Sequence, residues 1–265
     1  MTTMMKPMPK ILAISGSDIL SGGGFQADLA TYSQYGIYGF VAVTSIVTVA
    51  ENGTGFDIFP TNLDIFKRQL DSLEGVAFDA IKIGLLPSLE IADLTLRFIQ
   101  RHQDVSVIFD PVLVFKENKD DEISQMTAKL LAFLPYVTVI TPNLREAEML
   151  SGMTITTLSD MKAAAVILAN LGSQHTVIKG GSRLDKHFAR DIYYDGQVFH
   201  EFVQPIVARN NNGAGCTFAS AIASNLARGK SVLEAVEYSK AFVYQAILNS
   251  NEYGVFQRLN SEGNQ

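Results

Sequence analysis

The chain is predicted to fold as a three-layer α/β/α unit, with a mostly parallel central sheet and helices on both faces. Strand-like and helix-like segments alternate from end to end, which is the pattern of repeated βα units. The first strand-like run is short and apolar, as a strand covered on both faces should be. No linker or compositional break divides the 265 residues. A single domain over 1–265 is therefore expected, with 1–9 and 261–265 as loose tails.

The elements follow in order. Ile11–Ser15 reads as a buried strand stopped by Gly16. Phe25–Tyr35 has helical spacing through Phe25, Leu29 and Tyr32 and ends at Gly36. Phe40–Val49, rich in Val, Thr and Ile, reads as one strand. Thr61–Leu73 is helical, Ala80–Ile83 a strand and Leu89–Gln100 a helix. Val105–Phe109 is a strand that delivers Asp110. Ser124–Leu134 is helical. Val137–Ile140 is a strand that delivers Thr141-Pro142-Asn143. A helix opens at Asn143. Ser159–Leu171 is a helix, and Thr176–Lys179 a strand ending in Gly180-Gly181. Ile192–Tyr194 and Val198–Phe202 flank Asp195-Gly196, a hairpin signal. Ala214–Arg228 and Ser231–Leu248 are helices separated by Gly229. In such sheets ligands bind beyond the carboxyl ends of the strands. The polar punctuation falls there: Ser17-Asp18, Asp110, Asn143 and Lys179-Gly180-Gly181.

Composition narrows the function. Hydrophobic residues at 47% and charged residues at 18% suit a globular enzyme with a large core. A net charge of −6 argues against nucleic acid or an anionic membrane as partner. No apolar run is long enough to span a bilayer, and Met1–Pro9 lacks the apolar centre of a signal peptide. The single cysteine excludes an internal disulfide and fits a reducing cytoplasm. The four histidines lack metal-ligand spacing and are assigned to surface or structure.

The densest chemistry lies in Asn210-Asn211-Asn212-Gly213-Ala214-Gly215-Cys216-Thr217, a glycine-rich turn that runs directly into an apolar helix. A helix start offers unpaired N–H groups and partial positive charge, a seat for phosphate. A thiol there is expected to have a lowered pKa and to serve as a base, although a lone cysteine is more often inert core. Gly22-Gly23-Gly24-Phe25-Gln26-Ala27 formally fits a dinucleotide pattern, but the following strand ends without the required acid. No G-x-x-x-x-G-K-[ST] loop exists. Asn143 and Glu146 fit a capping box, which alone would explain both. They also fit a site for phosphate-bound Mg²⁺. Asp110 is either a turn residue or a metal or base residue, and Lys179 either a solvated turn residue or a phosphate contact.

Taken in order, Gly16-Ser17-Asp18, Gly24-Phe25-Gln26-Ala27-Asp28-Leu29, Lys82-Ile83-Gly84, Asp110-Pro111-Val112, Thr141-Pro142-Asn143 with Glu146, Lys179-Gly180-Gly181 and Gly213-Ala214-Gly215-Cys216-Thr217 resemble the ribokinase-like superfamily. The similarity is to its vitamin-kinase branch: hydroxymethylpyrimidine (phosphate) kinases and the bacterial pyridoxal kinases like them. The resemblance implies a ribokinase-like fold, ATP and Mg²⁺, a small-molecule substrate and a homodimer, and leaves a monovalent-cation requirement open. It implies that Gly213, Ala214 and Gly215 form the anion hole and that Cys216 takes the substrate's hydroxyl proton. Asn143, Lys179, Gly180 and Gly181 would meet the nucleotide, together with Gly213 and Gly215. Asp110 and Glu146 would serve the metal, through water. Ser17, Asp18, Val49 and Gly84 would line the ring pocket beside Cys216, and Val112–Asp121 would form a lid.

Substrate choice turns on Val49, which stands where the pyrimidine kinases place a Gln. An apolar side chain there favours a B6 vitamer. Hydroxymethylpyrimidine phosphorylation and a catalytically silent binding protein are the alternatives. The latter draws support from Asn211-Asn212, where the family often shows Thr-His. Ser21-Gly22-Gly23-Gly24 also departs from the usual pattern. Phe115 stands where some pyridoxal kinases carry a lid cysteine, so a mechanism needing a second thiol is excluded.

Overall fold

The computed structural model of the chain describes residues 8–51, 53–113 and 120–259. Phe115 and most of the expected lid segment lie outside them. The strands are β1 (Lys10–Ser15), β2 (Tyr38–Val43), β3 (Ser45–Val49), β4 (Phe56–Pro60), β5 (Ala80–Ile83), β6 (Ser106–Phe109), β7 (Val139–Ile140), β8 (His175–Lys179), β9 (Phe188–Tyr194) and β10 (Phe199–Pro205). The helices are α1 (Gly24–Tyr35), α2 (Leu63–Asp71), α3 (Leu89–Gln100), α4 (Asp120–Leu131), α5 (Leu144–Ser151), α6 (Leu158–Asn170), α7 (Ala214–Ala227) and α8 (Val232–Leu248).

Eight strands form one sheet in the order β10-β9-β8-β7-β6-β5-β1-β2. It is parallel from β2 through β8, and β9 and β10 add an antiparallel edge. Side chains alternate across the sheet, since successive Cβ atoms of a strand point to opposite faces. Leu12 and Ile14 of β1 pack with Ile81, Phe109, Phe66, Phe98 and Phe133. Ile11 and Ala13 pack with Tyr32, Phe218, Ile222 and Phe242 of α1, α7 and α8. Both layers of apolar side chains are almost fully buried, and each large one contributes about 1.5–3 kcal/mol.

One expected strand is two. The run 40–49 breaks at Thr44, where the chain leaves the sheet. Thr44 donates its N–H to Ser15 O at 3.0 Å and its hydroxyl to Leu85 O at 2.7 Å. Beyond it, β3 pairs antiparallel with β4 as a separate two-stranded ribbon. One tail residue also needs correction: Pro9 is tied to the sheet, its carbonyl accepting from Tyr38 N at 2.8 Å. Among the described residues no helix is long and apolar enough to cross a membrane.

Candidate active site

The carboxyl ends of the parallel strands converge on one rim. β6 hands over Asp110, whose N–H still continues the ladder to Ile83 O at 2.9 Å. β7 and β8 are prolonged by a bridge between Asn143 and Lys179, with Lys179 N donating to Pro142 O at 2.8 Å. The ladders thus bring Asp110, Asn143 and Lys179 together from distant parts of the chain. Lys179 Nζ lies 2.7 Å from Asp110 Oδ1, which also accepts from Thr141 Oγ1 at 3.2 Å.

The cap reading of Asn143 and Glu146 is met. Asn143 Oδ1 accepts from Glu146 N at 3.0 Å, and Glu146 Oε2 accepts from Asn143 N at 2.7 Å, so the capping box of α5 is complete. The same carboxyl is buried and faces the rim. Burial pushes its pKa up to about 7; Lys179 pulls it back and Asp110 adds to the rise. Burial works against the Lys179 ammonium, but Asp110 and Glu146 outweigh it and raise its pKa.

The glycine turn stands opposite. Gly213 has φ of 82° and caps α7, and a Cβ there would lie 1.4 Å from Gly22 O. Only glycine meets both demands. A Cβ on Gly215 would be 3.3 Å from Lys179 Nζ, which shows how closely the start of α7 approaches the charged rim. The preceding asparagines pin the turn to the C-terminal segment. Asn210 Nδ2 donates to Glu252 O, Asn212 Nδ2 donates to Tyr253 O, and Asn212 O accepts from Val255 N. Asn210 and Asn212 thus serve to hold the turn, which gives Asn212 a structural account.

Cys216 departs from expectation. Burial pushes its thiol up to about 11, against the pull of Lys82 and of the Gly24 backbone, while Asp28 and Asp110 add to the rise. The helix dipole favours the thiolate, but desolvation and two carboxylates outweigh it.

Two cavities adjoin at this turn. One, of about 400 Å³, is lined by Ser17, Asp18, Asp110, Asn143, Glu146 and Cys216, with Val47 and Phe56 of the ribbon as an apolar wall. The other, of about 340 Å³, has apolar walls from Ile206, Val207, Val243 and Ile247 and a polar end at Lys179, Gly181 and Ala214. Lys179 and Gly215 border both.

Five expected site residues are placed differently, one of them Gly213, which was expected at the nucleotide and borders only the first cavity. Val49 lies outside the wall of the first cavity and is 42% exposed, because the ribbon carries it past the rim; Val47 and Phe56 take its place. Gly84 lines neither cavity. It leaves room for Lys82, whose Nζ would be 2.9 Å from a Cβ there. Gly180 spends its N–H on Asp191 Oδ1 at 3.0 Å and borders neither cavity. Asn143 borders the first cavity, not the second. Asp18 does line the first cavity, but its carboxylate is occupied in shaping the loop, accepting from Leu20 N at 3.0 Å and Gly23 N at 2.7 Å.

The apolar wall from α8, and the ion pair of Lys240 with Asp191 beside it, were not foreseen. Neither was a buried Lys82–Asp28 pair beneath Cys216. Its signal was present: a charged residue inside the apolar run Ala80–Ile83 must find a partner.

The fold is that of the ribokinase-like vitamin kinases. The pyridoxal kinase from Staphylococcus aureus, solved in complex with AMP-PCP and pyridoxal, is 39% identical and superposes with a TM-score of 0.85, over 94% of this chain and 93% of that one. The chain belongs to the phosphomethylpyrimidine kinase family, which it matches over residues 18–259. Within that family it is 39% identical to the pyridoxine kinase of Bacillus subtilis (strain 168) over 256 residues, covering 93% of this chain and 94% of the relative. It is 34% identical to the hydroxymethylpyrimidine/phosphomethylpyrimidine kinase of the same organism over 248 residues, covering 91% and 90%.

Proposed function

We propose that the chain is an ATP-dependent kinase that transfers the γ-phosphoryl group to the 5′-hydroxymethyl group of pyridoxal, pyridoxine or pyridoxamine. One observation carries the reading: two cavities meet at Gly215 and Lys179, with Cys216 on the wall of the first. A nucleotide lies in the cavity walled by Val243 and Ile247, its phosphates toward Lys179 and the start of α7. The vitamer lies in the other, its hydroxyl toward Cys216. The alcohol oxygen attacks the terminal phosphorus, the bond to ADP breaks, and the hydroxyl proton passes to the Cys216 sulfur. Phosphoryl transfer depends on positioning and charge neutralisation more than on covalent help, and the backbone N–H groups of Gly213 and Gly215 supply both, whereas Ala214, expected among them, spends its N–H on Asn211 O at 3.0 Å.

Asp110 and Glu146 fit a Mg²⁺ site, since they offer the hard oxygen donors that this ion takes. Among the described residues no group of three or more His, Cys, Asp or Glu side chains could hold a metal. These two would therefore hold the ion together with water and phosphate oxygens, and the ion would neutralise phosphate charge. A cytoplasmic homodimer belongs to the same proposal. Its support is the unpaired cysteine, for the compartment, and the exposed outer face of the ribbon, for the dimer.

The rival substrate is hydroxymethylpyrimidine or its phosphate, favoured by the 34% identity to that kinase. The ribbon wall argues for the vitamer. Val47 and Phe56 carry no side-chain group that could pair with an aminopyrimidine, and a ligand built for such bonds loses affinity where they go unmade. Side-by-side kcat/KM values decide: pyridoxal is expected to exceed hydroxymethylpyrimidine by about tenfold or more. The reverse order would refute the substrate assignment.

A further inference from the structure

Lys82 is the third residue of β5, a strand buried along its length. Its side chain is fully buried, and Nζ lies 2.8 Å from Asp28 Oδ1 and 3.0 Å from Asp28 Oδ2. Ser220 Oγ donates to Asp28 Oδ1 at 2.6 Å. Withdrawing two ions from water costs several kcal/mol each, and an apolar pair of similar volume often serves stability as well or better. The cluster's position beneath the site points to a use other than stability.

That position follows from helix geometry. Cys216 and Ser220 are four residues apart on α7, so they stand on one face, one turn above the other. Gly24 and Asp28 are four apart on α1. The loop before α1 meets the Cys216 sulfur, which a Cβ on Gly23 would approach to 3.9 Å, and one turn below Cys216, Ser220 donates to Asp28. Lys82 reaches this lower contact from the sheet, and Gly84 leaves the space its ammonium needs.

We propose that Lys82, anchored by Asp28 and Ser220, is a positioning residue whose fixed positive charge supports the thiolate of Cys216 that accepts the substrate's proton. This rests on the reading of Cys216 as the base. As the alcohol O–H breaks, its oxygen bonds to phosphorus, the P–O bond to ADP breaks, and the proton settles on sulfur. Lys82 keeps its own proton throughout. The charged and titratable groups around the sulfur are Asp28 and Tyr32 of α1, Lys82 of β5, Asp110 after β6, Lys179 at the end of β8, and Asp18 in the loop after β1. Among the nearby charges Lys82 pulls most strongly toward thiolate, and Asp28 and Asp110 oppose it.

The chain has one cysteine, so alkylation by iodoacetamide, read as a mass gain, reports this sulfur alone. Only the thiolate reacts. At a fixed, mildly alkaline pH, in folded protein free of nucleotide, Lys82→Met is expected to slow alkylation by about tenfold. Asp28→Asn is expected to speed it. Urea-unfolded samples of all three proteins should react alike. Rates that stay unchanged, or that move the same way in both variants, would overturn the proposal. If Lys82→Met does not fold, the double variant Asp28→Asn/Lys82→Met keeps the test open. It is expected to react more slowly than wild type, and an equal or faster rate overturns the proposal. The readout needs no turnover, so a failure of Cys216 as base would show separately, as a Cys216→Ala variant of undiminished kcat.

Discussion

Cys216 sits under opposing influences. The start of α7 and the Lys82 ammonium favour its charged form, while burial, Asp28 and Asp110 disfavour it. With a pKa near 11 the sulfur is mostly protonated at neutral pH in the empty protein. Under the proposed mechanism, catalysis then draws on a small thiolate fraction, or on a site recharged when ligands bind. A positioned base contributes about 10²–10⁴ in rate. Cys216→Ala is therefore expected to lower kcat by that range and to leave nucleotide affinity near wild type, as checked by steady-state kinetics beside calorimetric titration with ADP. The role proposed for this residue comes from its place after Gly213-Ala214-Gly215. Its environment was not legible there, because Asp28, Lys82 and Asp110 arrive from three other segments.

At the scale of the element, the Asn143 cap was legible in the sequence, and the other helix starts use the same device. Ser88, Asn143, Thr157 and Ser231 each begin a helix, with a side-chain oxygen accepting from the first turn. The ribbon was the least legible. β-propensity runs unbroken from Phe40 to Val49, and propensity does not register a change of partner at Thr44. The α5 cap also makes a pH prediction. Glu146 has its folded pKa raised from 4.5 to about 7. The folded state therefore holds this proton more tightly than the unfolded chain does. The associated stability is full below about 4.5 and is lost as pH rises through about 7. In metal- and nucleotide-free protein, the wild-type Tm should fall across that window relative to Glu146→Gln, whose amide oxygen still closes the capping box. Parallel Tm curves for the two proteins would show that the carboxyl is not so perturbed.

At the scale of the molecule, the layers and the parallel sheet could be read from alternation alone, since βα repeats allow few other arrangements. The outward face of the ribbon could not. Ile46 and Phe59, cross-strand partners in β3 and β4, are 49% and 57% exposed, and Leu63 and Ile65 on the neighbouring α2 are exposed as well. An exposed apolar patch marks an interaction surface, and a second copy of the chain is its expected occupant. Sedimentation equilibrium should return twice the 28.9 kDa chain mass, and Phe59→Glu should return a single mass. A wild-type protein that sediments as one chain would remove the dimer from the proposal.

The fastening of the glycine turn has a consequence for how the protein is made. The turn is held from behind by Tyr253 and Val255, and Gln257 bonds Thr217 inside α7 at 2.9 Å. A ribosome will have delivered every strand of the sheet long before these residues emerge. The bonds that fasten the proposed phosphate grip are therefore among the last that the growing chain can make.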